Sequence, residues 1–230
     1  MTDTILAGLR WLHVAAGVAA LVVAPVAMIA VKGGTTHRTW GKLYYRAMVV
    51  VGLTAIVLGL ARPNPFLTMV AVFSFYTAFS GYRALRHKRP DSARRDFAAW
   101  TMALLSLAAS LGLVALGIAA PTPLWQRLSV VAIVLGSLGA SLAWLDIAAM
   151  RGASADPMRW WYAHMTRMLG SYLAAVSAFS VVNFTFLPLT ARWLWPTVIG
   201  TPLIALWTAY YRRRFQRPAA ATTAAATASV

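Results

Sequence analysis

The chain has 230 residues, 60% of them hydrophobic and only 11% charged, where an ordinary soluble domain carries about 25% charged residues. Its net charge of +16 comes from cations placed between apolar runs, with no separate basic domain, so nucleic acid is not an expected partner. With no cysteine and no glutamate, the chain has no disulfide, no thiolate metal site, no thiol nucleophile and few general bases.

Apolar runs near the length of a bilayer-spanning helix recur along the chain. They place seven spans: 5–31, 43–61, 66–85, 97–119, 128–150, 165–187 and 193–211. The expected fold is therefore an all-α membrane protein, a seven-transmembrane-helix bundle in one polytopic domain over 1–217. An Ala/Thr-rich tail without charge, 218–230, is expected to be disordered. No basic region precedes the first span, so no signal peptide is expected. Pro63, Pro65, Pro121, Pro123, Pro188 and Pro196 are placed at span ends, and Pro25 inside the first span.

Seventeen of the 21 Lys and Arg fall after spans one, three, five and seven, and four on the other side. Positive residues stay cytoplasmic, which puts the N-terminus outside and the C-terminus inside. Trp11, Trp125, Trp193 and Trp195 would mark the outer headgroup level, and Trp40, Trp100, Trp160 and Trp161 the inner one. The likeness of TAFSGYRALRHKRP to TAYYRRRFQRP, and of WGKLYYRAM to WWYAHMTRM, suggests a 3+1+3 parallel repeat, with spans one to three matching five to seven.

Ionisable residues at membrane depth are the first functional candidates. His13 lies early in span one with Gly17 on its face. Asp146 lies near the cytoplasmic end of span five. His164 starts span six, with Arg167 and Ser171 at i+3 and i+7. His37 follows the first span in KGGTTHRTWGKLYYRAM, a stretch expected to be a cytoplasmic connection. His37, Asp146 and His164 thus share one leaflet. Two imidazoles and a carboxylate suit a transition metal, and two imidazoles with Arg167 nearby suit a haem iron. The simpler reading pairs Asp146 with Arg151 or Arg167 and leaves the histidines bonded to backbone or lipid. His13 stands ~20 Å from His164 in height, too far for one haem to join them. His87, in RALRHKRP, is read as solvated.

The remaining polar residues are expected to glue helices. Gly136 with Ala140 and Ser106 with Ser110 are small-residue pairs, while Ser177, Ser180 and Asn183 form a stripe. Tyr76 and Asn183 are the candidates for lining a solute path. None of the three lysines lies in span seven, which excludes a retinal Schiff base, and no P-loop, GxSxG or HExxH motif occurs.

Gly33, His37, Arg38, Gly41 and Tyr44, after the early His13, form a pattern that resembles the opening signature of a bacterial group of predicted integral membrane proteins, the domain-of-unknown-function 2306 group. His164, Arg167 and Asn183 in HMTRMLGSYLAAVSAFSVVN are similar to its second characteristic stretch. The resemblance covers the chain to about residue 190. It implies that His37 and His164 belong together, and it implies no activity. The first functional expectation is a non-enzymatic protein of a bacterial inner membrane, a small-solute carrier or an accessory subunit. Its partners would be the lipid bilayer and another membrane protein or a second copy. The alternative is a haem- or metal-binding redox protein using His37 and His164, with Asp146 behind them. An enzyme acting on lipid ranks last.

Overall fold

The computed structural model describes residues 2–86, 96–152 and 156–227, the last twelve of these by backbone alone. Seven long helices follow in order: α1 (Asp3–Ile29), α2 (Thr35–Ala61), α3 (Pro65–Arg83), α4 (Phe97–Ala119), α5 (Pro123–Arg151), α6 (Arg159–Asn183) and α7 (Leu189–Thr227). A 3-10 turn, Ala84–Arg86, tightens the end of α3. Among the described residues there is no strand. Five helices, α1, α2, α4, α5 and α6, are long and apolar enough to cross a membrane. Val22 (64% exposed), Leu105 (53%) and Leu206 (67%) point outward from the bundle. Large apolar surface on so many helices suits a hydrocarbon solvent and would be a liability in water.

The helix starts carry ordinary capping chemistry. Asn64, Asp96 and Thr122 each accept a backbone N–H of the first turn, and Pro65 and Pro123 occupy first-turn positions where no helical bond is lost. Several helices outrun their apolar runs. α2 starts at Thr35 and not near residue 43, so the stretch expected to be a connection is mostly the first turns of a helix. Hydropathy detects only the hydrocarbon depth, whereas a helix continues into the polar boundary as long as its backbone bonds are made. Similarly α7 starts at Leu189, which puts Pro196 inside the helix and fully buried. The backbone of the Ala/Thr-rich stretch is helical to Thr227. His87 lies outside the described residues.

α4 and α5 form the tightest pair, α1 and α2 the next, and α3 and α6 pack across the middle. Close approach explains the first. A Cβ on Gly136 would stand 2.6 Å from the Ser110 carbonyl oxygen, and one on Gly139 2.3 Å from Ser110 Oγ. Both expected small-residue pairs thus contribute to one helix–helix seam. The packing offers no 3+1+3 repeat: α1 runs closely along α2, but the corresponding α5 and α6 barely touch. The matching segments are basic-aromatic helix ends, which the membrane boundary selects without regard to which helices are neighbours.

Trp125 and Trp193 are not on a headgroup belt. They are buried, with Phe66 between them at ring separations of 5.9 and 5.3 Å. Both indoles pack edge-on against the Phe66 ring here.

Candidate functional site

The chain turns between α1 and α2 through Gly33, whose φ of +79° is a left-handed conformation that glycine adopts without strain. That turn brings His37, in the first turn of α2, back over the end of α1. The last carbonyls of a helix lack intrahelical partners and must find others. At α1 they do so in sequence. Val26 O accepts the Ala30 N–H, Ala27 O accepts His37 Nδ1–H at 2.8 Å, and Met28 O accepts from Lys32 Nζ. Lys32 Nζ also lies 5.5 Å from the Trp207 ring centre on α7. Partial burial lowers the pKa of its ammonium from the ordinary lysine value.

His164, two turns into α6, does the same for α3. Its Nδ1–H donates to Gly81 O at 2.8 Å, one of the orphan carbonyls of the last α3 turn. Gly81 is needed there, because a Cβ would stand 2.9 Å from Arg167 Cβ and 3.1 Å from the Met168 amide nitrogen. The two imidazoles meet, with ring centres 6.3 Å apart and planes at 83°. Each carbonyl can only accept, so each ring holds its proton on Nδ1 and, when neutral, leaves Nε2 with a free lone pair. A ligating histidine commonly donates its other N–H to a backbone carbonyl in this way, which fixes both tautomer and ring orientation.

Asp146 is not in that cluster. Among the described residues no group of three or more His or Asp side chains could hold a metal. Asp146 Oδ1 accepts from Arg167 Nη2 at 2.7 Å, and its Oδ2 accepts from Arg167 Nε at 3.3 Å and from the Tyr76 hydroxyl at 2.5 Å. Arg167 also donates to Leu142 O at 3.1 Å and is buried. The guanidinium counted in the sequence as a boundary cation therefore neutralises a carboxylate inside the bundle.

The polar face of α6 reaches a different helix at each step. His164 bonds α3 and Arg167 bonds α5. Ser171 Oγ accepts from the Tyr44 hydroxyl of α2 at 2.7 Å, and Ser180 Oγ accepts from Trp195 Nε1 of α7 at 2.8 Å. The sequence reading named Tyr44 and Ser171 but did not bring them together. Ser171 was placed on the face of His164 and Arg167, and Tyr44 in the stretch with His37; neither signal named the other as partner. Tyr76 and Asn183 do not share a path: Tyr76 is fully buried against Asp146, while Asn183 is exposed and donates to Phe179 O of its own helix. His13 donates from Nδ1 to Thr54 Oγ1 (3.0 Å) and Val51 O (3.2 Å) on α2. Val51 lies about 21 Å along α2 from His37 by the helical rise, so His13 stands at the opposite end of the bundle.

Comparison with protein-family models, with curated proteins and with solved structures finds no match.

Proposed function

We propose that this chain is a seven-span protein of a bacterial inner membrane, N-terminus outside, that binds a haem iron through His37 and His164 as a redox carrier. The observation that carries the reading is the imidazole pair. The two rings stand 6.3 Å apart centre to centre, near enough that both would hold one iron. Both Nδ1–H groups are already used by backbone carbonyls, which leaves Nε2 as the ligating atom on each ring. The topology rests on the cation asymmetry and the family likeness on the His37 and His164 stretches. The bilayer is the solvent partner. Tyr76 and Asn183, the residues a solute path would run past, are bonded elsewhere, Tyr76 to Asp146 and Asn183 to its own helix.

Absorbance of the protein purified in detergent, with metal analysis of the same sample and titration with haemin, tests the proposal. A Soret band that shifts on reduction, and that His37→Ala and His164→Ala each abolish, is the expected result. A colourless protein whose response to haemin equals that of the double alanine variant overturns it.

A further inference from the structure

A cavity of ≈ 550 Å³ lies between α2, α3, α5, α6 and α7, and neither His37 nor His164 lines it. Its walls follow the helices turn by turn, along α2 from Met48 to Arg62, α3 from Asn64 to Thr77 and α6 from Thr166 to Ala178. At the helical rise these stretches are about 18–21 Å long, so the space is a channel along the bundle. Spread over that length, the volume gives a mean cross-section of about 27 Å², room for one extended hydrocarbon chain but not for two side by side. A methylene takes about the space of a water molecule, about 30 Å³, so the cavity holds a chain of about 16–18 carbons.

The walls are mostly apolar. His13 bonds to α2, Thr77 and Thr166 donate to their own helices, and Ser177 Oγ is shut off from the space by burial. Hydroxyls at helical positions such as Ser74, Thr197 and Thr201 can reach a carbonyl of the preceding turn and need no ligand. The two ends differ. Buried Met48 and Thr77 close one. Arg62, just past the end of α2, stands at the other. Its side chain is 60% exposed, and Asp3, 93% exposed, takes one of its five N–H donors, through Nη2 at 3.0 Å. So open an ion pair holds weakly, and the guanidinium keeps donors for an anion at the cavity mouth. Leu67 and Ala178 line the cavity and are also exposed on the surface that the hydrocarbon covers, which gives a chain a way in from the side.

We propose that this cavity holds a fatty acid of about 16–18 carbons, its chain along the helices and its carboxylate on Arg62. The planar guanidinium matches a carboxylate, and the single-chain bore excludes a two-tailed body. The site needs no metal and stands apart from the haem reading.

The probes are hexadecanoic acids carrying a photoreactive diazirine near the carboxyl or near the methyl end, used with the full chain in phosphatidylcholine nanodiscs at alkaline pH. The first is expected to label peptides containing Asn64–Leu67 and Ser177–Ala178, and the second those containing Thr77 and Thr166. A Cβ on Gly170, near the closed end, would meet nothing within 4 Å, so Gly170→Leu fills the space without a clash and removes the methyl-end labels. Arg62→Gln raises the half-labelling concentration of the acid about 3- to 5-fold and leaves that of its methyl ester unchanged. Labels that do not move with the diazirine, or that persist in Gly170→Leu, overturn the cavity as the site. An acid and an ester that respond alike to Arg62→Gln overturn the carboxylate. A phosphatidylcholine with the same methyl-end diazirine that labels Thr77 and Thr166 equally well makes the occupant a phospholipid tail and overturns the fatty acid.

Discussion

The α4–α5 hairpin and the surroundings of α6 are held together by opposite means. In the hairpin, Gly136 and Gly139 let α5 come against Ser110 so closely that no Cβ fits, and Leu113, Val131 and Ala132 fill the seam without exposure. Around α6 the neighbouring helices are tied by polar bonds from a single face, one each to α3, α2 and α7 and three from Arg167 to α5. In lipid, apolar side chains gain little by leaving their solvent, so association needs either very close van der Waals contact or hydrogen bonds. The first holds the hairpin mainly by contact, with one hydroxyl, Ser129, donating across it to Gly117 O at 2.8 Å. The second leaves titratable and ligating groups inside the bundle, which is where a site can form.

Asp146→Ala is the most severe way to break the polar half. It strands the buried Arg167 guanidinium and is expected to cost about 3–5 kcal/mol in unfolding from detergent micelles, most of it regained when Arg167→Met is added. A loss within 1 kcal/mol would mean that water reaches the pair, as if it lay at the surface. Gly139→Leu attacks the dry half and is expected to cost about 1–3 kcal/mol by overpacking against Ser110 and Phe73, measured the same way. If it is silent, the seam is not the tight one described. The smallest effect sharpens the contrast. Ser106 is fully buried and its Oγ has no partner, so Ser106→Ala should be neutral or stabilise by about 1 kcal/mol in the same melt. A marked destabilisation would give the hydroxyl a hydrogen-bonding role in the hairpin.

Much of the site could be read in advance, and its limits have definite causes. That His37 and His164 occupy one level followed from their distance along the chain from the ends of apolar runs. The pairing of Asp146 with Arg167 was one of two arrangements open to it, and the rotation of α6 selected it. The small residues of the hairpin announced close packing, but not that Gly136 and Gly139 would both meet Ser110. Two of the tryptophans read as facing a boundary, Trp125 and Trp193, are instead buried on either side of Phe66, because an aromatic ring serves a headgroup belt and a buried cluster equally well.

From composition and order alone came the all-helical character and the places where apolar runs are long enough to cross a bilayer, because hydrocarbon admits few other backbones and imposes a length. Only the tertiary structure decided that His37 and His164 cap the ends of α1 and α3 through Nδ1, that Asp146 belongs to Arg167 and Tyr76, and that an apolar space remains beside Gly170. Hydropathy and helical period state which depth and which face a residue takes; the neighbour opposite that face is set by how seven cylinders pack, and a single segment carries no record of it.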